Sequence, residues 1–143
     1  MHVMGISLIA VFLAAVAMMA VGFLWYSPLL FANPWMLAMG YDPNDKAKIE
    51  EMQKGAGKIY GLAFLGSLVS AFVLGKIMDV TTINSIPYGL KVGFAIWLGF
   101  VATVQLTDFL FSRKPLKLFL INTGYQLVCY LVMGAIMAVG NRY

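Results

Sequence analysis

Gly93–Phe111, GFAIWLGFVATVQLTDFLF, decides how this chain is read: it is an apolar run that nevertheless carries Gln105 and Asp108. A stretch of about 20 mainly apolar residues is what an α-helix needs to cross a bilayer. A carboxylate inside such a helix costs about 2.5–3.5 kcal/mol at the bilayer centre and less toward an end, so it normally faces a partner or water. Asp108 is therefore the first candidate functional residue. The remainder of the chain reads as an arrangement around this segment.

Working outward, apolar residues make up 62% of the 143 residues and charged ones 11%. Soluble domains hold about 45–50% and 25%, so the composition predicts an integral membrane protein. Four apolar blocks are long enough to span, at about 5–31, 59–78, 89–111 and 118–139. They predict an all-α fold: a four-transmembrane-helix bundle forming one membrane domain over 1–143. The polar connector 41–57 between the first two spans reads as a short amphipathic helix. Asp42 is placed to cap it with Pro43 at its first position, Glu50 stands four residues before Lys54, and Ile49, Met52 and Ala56 give a narrow apolar stripe. Its lysines and acids balance, which is unlike the basic face of an anionic-lipid binder.

The first span carries Ala10, Ala14 and Ala17 at small-residue spacing and no acid. Ala15-Val16-Ala17 resembles a signal-peptide cleavage site, but no Lys or Arg precedes it, so the segment is expected to remain as the first helix. Trp25, Tyr26 and Trp35, with Pro28 and Pro34, suit an interfacial belt. The pairs Gly57/Gly61, Gly66/Ser70 and Gly89/Gly93 have spacings that let helix backbones approach closely. In the third span Val101, Gln105 and Asp108 share one face, while Ala95, Gly99, Ala102 and Thr103 form a small-residue strip on another.

Ser112 to Lys117 is long enough only for a hairpin, which makes the third and fourth spans antiparallel neighbours. In the fourth span Asn122, Tyr125, Gln126, Cys129 and Met133 fall on one stripe. At about 1.5 Å per residue, Asp108 and Asn122 lie at similar depth, with Gln105 and Tyr125 or Gln126 in the next layer. Hydrogen bonds among Asp108, Gln105, Asn122 and Gln126 are expected, and the end carrying Trp25 and Tyr26 lies on the same side. This predicts a candidate ligand-binding polar pocket of Asp108, Gln105, Asn122, Gln126, Tyr125, Trp25 and Tyr26.

Seven Lys and Arg (Lys46, Lys48, Lys54, Lys58, Arg113, Lys114, Lys117) lie on the first and third connections, against Lys76, Lys91 and Arg142 opposite. The positive-inside rule then places 32–58 and 112–117 in the cytoplasm and both termini outside a cell (inner) membrane. The single His2 is terminal, and the single Cys129 lies in an apolar block. No catalytic set, metal cluster, cofactor motif or nucleic-acid motif is recognisable, so the chain is not expected to be an enzyme or to carry a cofactor.

The segments Gly22–Phe31 (GFLWYSPLLF) with Trp35, then Trp97–Phe100 (WLGF), then Lys117–Asn122 (KLFLIN) with Gly124 and Tyr125 resemble the domain-of-unknown-function family 1761. The resemblance covers nearly the whole chain. It implies a mostly bacterial, four-span membrane protein in which Trp25, Tyr26, Pro28, Trp35, Trp97, Asn122 and Tyr125 are motif positions, and it implies no activity.

Two functions of different class follow. One is a structural or accessory protein that packs as a homo-oligomer or against a larger membrane partner. The other is a small transporter or binder of a cation, proton or amphiphile at the Asp108 pocket. The size is similar to that of small multidrug exporters, but their first-span Glu has no counterpart here. Asp108 in a closed ion pair with Arg113, Lys114 or Lys117 would favour the structural reading. Asp108 on an open cavity would favour the binder.

Overall fold

A computed structural model describes residues 2–140, with His2 in its backbone alone. Arg142, counted above for topology, lies outside the described residues. The elements are a two-residue antiparallel β-hairpin (β1 His2–Val3, β2 Ile6–Ser7), then α1 Leu8–Trp25, α2 Ala32–Ala38, α3 Lys46–Lys54, α4 Ala56–Val80, α5 Ile86–Ile96, a π-helical segment Trp97–Ala102, α6 Thr103–Ser112 and α7 Leu116–Gly140. The third span runs without interruption from α5 through the π segment to α6. Four helical stretches are thus long and apolar enough to cross a membrane: Leu8–Trp25, Ala56–Val80, Ile86–Ser112 and Leu116–Gly140. The architecture is the all-α bundle that the composition predicts.

Helix ends follow local chemistry. Ser7 caps α1 by accepting from the Ala10 amide at 3.2 Å. The helix fills only part of the 5–31 apolar block, because Pro28 lacks the amide a continuing helix needs. The chain instead turns through Ser27 to Phe31, with the Phe31 amide returning to the Trp25 carbonyl at 3.1 Å, and re-enters a short helix at Ala32.

The connector does contain a helix, but its cap is Asp45, which accepts from the Lys48 amide at 3.1 Å. Asp42 holds the preceding turn by accepting from the Asn44 amide at 2.9 Å, which places Pro43 before the helix instead of at its first position. The ion pair on this helix is Lys48 with Glu51 at 3.8 Å. Gly55 alone separates α3 from α4, and Gly57 is helical.

The centre of the bundle is α7, which touches α1, α2, α4, α5 and α6. The expectation that the third span organises the chain is corrected here: from Phe94 to Ser112 that span has no buried residue. The reason lies in its first turns. Gly89 and Gly93 bring the α5 backbone directly onto α7. A Cβ on Gly89 would strike the Gly134 carbonyl oxygen, and one on Gly93 the Tyr130 carbonyl oxygen. Beyond them Phe100 and Val104 point away from the bundle, 69% and 65% exposed.

Burial is concentrated at the end that carries the chain's first residues. Ala10, Ala14 and Met18 of α1 pack with Ala71, Leu74 and Met78 of α4 and with Met133, Met137 and Ala138 of α7. Ile6 of the hairpin is fully buried there, within 3.3 Å of where a Gly75 side chain would begin. Lys76 holds the hairpin by donating to the Met4 carbonyl at 3.2 Å and pairing with Asp79 at 3.7 Å. The opposite end, at the α6–α7 hairpin, is more loosely packed.

Candidate functional site

The site begins with a change of helical register. An α-helix advances about 100° per residue, and a π segment accommodates one extra residue, so the face downstream of it is rotated by about that amount. With Gly89 and Gly93 against α7, an uninterrupted α-helix would next present Phe100 and Val104. The π segment Trp97–Ala102 presents Val101, Gln105 and Phe109 instead, each half-buried. Trp97 anchors the segment by donating its indole N–H to the Thr123 carbonyl at 3.0 Å. Gln105 is therefore turned inward by the backbone itself.

Past this point α6 leans away from α7. The connection is three residues long, with Arg113 in the left-handed region at φ +58° as it ends α6. A cleft of about 60 Å³ opens between the helices, lined by Gln105, Asp108, Phe109 and Ser112 of α6, by Lys114 and Pro115, and by Leu118, Phe119, Asn122 and Thr123 of α7. Phe109 and Phe119 stack at 5.2 Å and form its apolar wall. Gln105 and Thr123 each lie seven residues in from the hairpin ends Ser112 and Leu116, so they share one depth at the closed end. Asp108 is nearer the mouth and exposed.

The polar groups of this cleft are incompletely used. Gln105 Oε1 and Thr123 Oγ1 are buried and have no hydrogen-bond partner. Thr103 and Thr107 follow the usual habit of helical hydroxyls in apolar surroundings, donating to carbonyls four residues earlier at 2.8 and 3.0 Å. Thr123 makes no such bond. Among the described residues no Lys or Arg nitrogen lies within 4.0 Å of the Asp108 carboxylate, although Lys114 lines the same cleft.

Of the seven residues expected to form one pocket, Gln105, Asp108 and Asn122 line this cleft, and Trp25, Tyr26, Tyr125 and Gln126 do not. The expected hydrogen bonds among Asp108, Gln105, Asn122 and Gln126 are replaced by bonds that tie α1 to α7. Tyr26 donates to Asn122 Oδ1 at 2.7 Å, Trp25 Nε1 to the Ile121 carbonyl at 2.9 Å, and Tyr125 to the Met18 carbonyl at 3.3 Å. Aromatic rings complete this seam, with Tyr26 edge-on to Tyr125 at 5.3 Å and to Trp35 at 6.1 Å. The physical reason is that α7 is surrounded. The stripe read as one pocket wall is shared between α1 on one side and α6 on the other.

Thr123 was not singled out in the sequence. Counting depth from the expected start at 118 puts Tyr125 level with Gln105, whereas α7 starts two residues earlier, at Leu116, and so brings Thr123 to that level. The π rotation has no local signal.

No curated protein and no solved structure matches the chain. A family model does, over residues 9–138, a range that takes in the Trp25–Tyr26 seam, the π segment and the cleft. The chain belongs to that family, described as protein of unknown function (DUF1761).

Proposed function

We propose that this multi-pass membrane protein binds a small polar solute in the cleft between α6 and α7. One observation carries the reading: two buried oxygens, Gln105 Oε1 and Thr123 Oγ1, stand unpartnered at the closed end of a cleft whose mouth holds Asp108. A buried acceptor without a partner costs about 1–3 kcal/mol, more than a bundle gains from one typical interhelical bond. A solute that supplies the missing donor or charge removes that cost. The volume of about 60 Å³ fits an ion or a few waters, whereas drug-sized ligands occupy about 300–1,000 Å³. An amphiphile is thereby disfavoured as the occupant.

The excess of Lys and Arg on the first and third connections supports a cytoplasmic hairpin and therefore a cleft open toward the cytoplasm, with the termini outside an inner membrane. A cysteine introduced at Ser112 should then react with a membrane-impermeant thiol reagent in inverted vesicles and not in intact cells. The converse pattern would reverse the orientation.

The binding reading is tested by melting the purified protein against a panel of small solutes: cations, amines, neutral polar molecules and anions. At least one should stabilise the wild type and not Gln105→Leu. If no solute distinguishes the two proteins, the cleft is not a binding site.

A second reading, as an assembling or accessory protein, draws on the absence of buried residues between Phe94 and Ser112 and on the exposed small residues Ala95, Gly99 and Thr103. A second copy or a larger membrane partner packed on that strip would bury it. Gly99→Cys should crosslink between subunits in native membranes. Monomer alone at every crosslinker length would remove this reading.

A further inference from the structure

We infer that the occupant of the α6–α7 cleft is a monovalent alkali cation, held by Gln105 Oε1 and Thr123 Oγ1 at the closed end and charge-balanced by Asp108 at the mouth. The inference rests on the binding reading above and names its ligand class. Three observations select that class. The unpartnered atoms are neutral oxygens, an amide carbonyl and a hydroxyl that is itself only 6% exposed as a residue. Such oxygens are hard ligands that suit hard cations, and soft thiolate or imidazole donors are missing from the cleft. Among the described residues no three His, Cys, Asp or Glu side chains gather into a metal-sized group, which counts against a transition-metal site.

Charge sets the valence. Asp108 is the single carboxylate of the cleft, so it neutralises one positive charge. A divalent ion bound there would remain half uncompensated beside Lys114. The two helix ends at the hairpin oppose each other, with the carbonyl end of α6 negative and the amide end of α7 positive, so the Asp108 carboxylate, which makes no ion pair with Lys114, is the group that favours a cation.

The Lys114 ammonium stands more than 4.0 Å from the carboxylate. Its positive charge in the lining of the cleft opposes a bound cation, so Lys114 is not a ligand of the ion.

The test is a melting titration of the full-length protein in lipid nanodiscs with NaCl and KCl, at constant ionic strength made up with N-methylglucamine chloride. Saturable stabilisation of roughly 2–4 °C is expected once the ion exceeds its dissociation constant several-fold. It should vanish in Asp108→Asn, an isosteric change at an exposed position, and weaken in Thr123→Val, which keeps the buried shape. Lys114→Gln should lower the half-saturating concentration several-fold.

Identical melting of the wild type in all three chlorides overturns the cation. So does stabilisation by MgCl2 or CaCl2 that exceeds that by the alkali salts, or a shift retained in both Asp108→Asn and Thr123→Val. If a different solute of the panel stabilises wild type and not Gln105→Leu while the alkali salts do nothing, the ion is wrong and the cleft remains a binding site. If nothing separates those two proteins, both inferences fall.

Discussion

Thr103 and Thr123 carry the same hydroxyl on adjoining spans, and their surroundings give it opposite consequences. Thr103 satisfies its own donor by bonding to the Gly99 carbonyl, whereas the Thr123 hydroxyl is buried and unpartnered. Removing a buried hydroxyl that makes no hydrogen bond takes away a desolvation cost and leaves the shape almost unchanged. Thr123→Val is therefore expected to leave the ion-free protein as stable as the wild type or to stabilise it by up to about 1 kcal/mol. Unfolding in N-methylglucamine buffer measures this, and a loss of stability there would mean that the hydroxyl has a structural partner. The seam on the other side of α7 behaves in the usual way. Tyr26→Phe deletes a 2.7 Å bond to Asn122 Oδ1 and should cost about 0.6 kcal/mol, up to about 1.7, as interhelical bonds in membranes do. Asn122 and Tyr26 were both legible as polar or aromatic residues near a span end. Their partnership was not, because depth along a helix can be counted from a hairpin, whereas azimuth around α7 depends on helices distant in sequence.

At the scale of elements, three glycine or small-residue pairs looked equivalent in the sequence, and the bundle uses one of them. Gly89 and Gly93 meet α7 backbone, while nothing lies within 4 Å of a Cβ placed on Gly57, Gly61 or Gly66. Spacing states that a close approach is possible. It does not state whether a partner backbone arrives. The difference is testable within one protein. Gly134→Ala, facing the Gly89 carbonyl, should force α5 from α7 and destabilise by about 1–3 kcal/mol, the usual range for overpacking. Gly66→Ala adds a methyl to open space on α4 and should be neutral or slightly stabilising, since Ala is the better helix former by up to about 1 kcal/mol. Equal effects of the two changes on unfolding in detergent would refute the α5–α7 contact. The π segment belongs to the same scale. Its two determinants are the fixed glycine contact before it and the Trp97 bond to Thr123 beside it. Both are tertiary, so the apolar letters of WLGFVA alone carry no sign of the extra residue per turn.

Across the whole molecule, packing is graded from one end to the other. Buried residues occupy α1 from Ala10 to Met18 and α4 from Ser67 to Met78, and they run densely along α7 from Cys129 to Ala138. These stretches meet toward the end that holds Ile6. At the other end α6 has no buried residue. The four spans, their order and the antiparallel hairpin were legible because length, hydropathy and a short connection settle them. The gradient was not, since every span is similarly apolar and lipid-facing residues resemble core ones. Local opening is easiest where few buried contacts would be broken, so exchange of backbone amides should follow the gradient. In detergent, Thr103–Ser112 is expected to exchange faster than Ile86–Ile96 of the same span, and α7 from Cys129 onward slowest. If the cleft binds as inferred, adding the alkali cation should slow exchange in Thr103–Ser112 and in the first two turns of α7, and leave Ile86–Ile96 unchanged. Uniform protection along the third span would show that α6 packs as closely as α5, with no cleft for an ion. A cation effect spread evenly over all four spans would point to general stiffening of the bundle instead of occupancy at Gln105, Asp108 and Thr123.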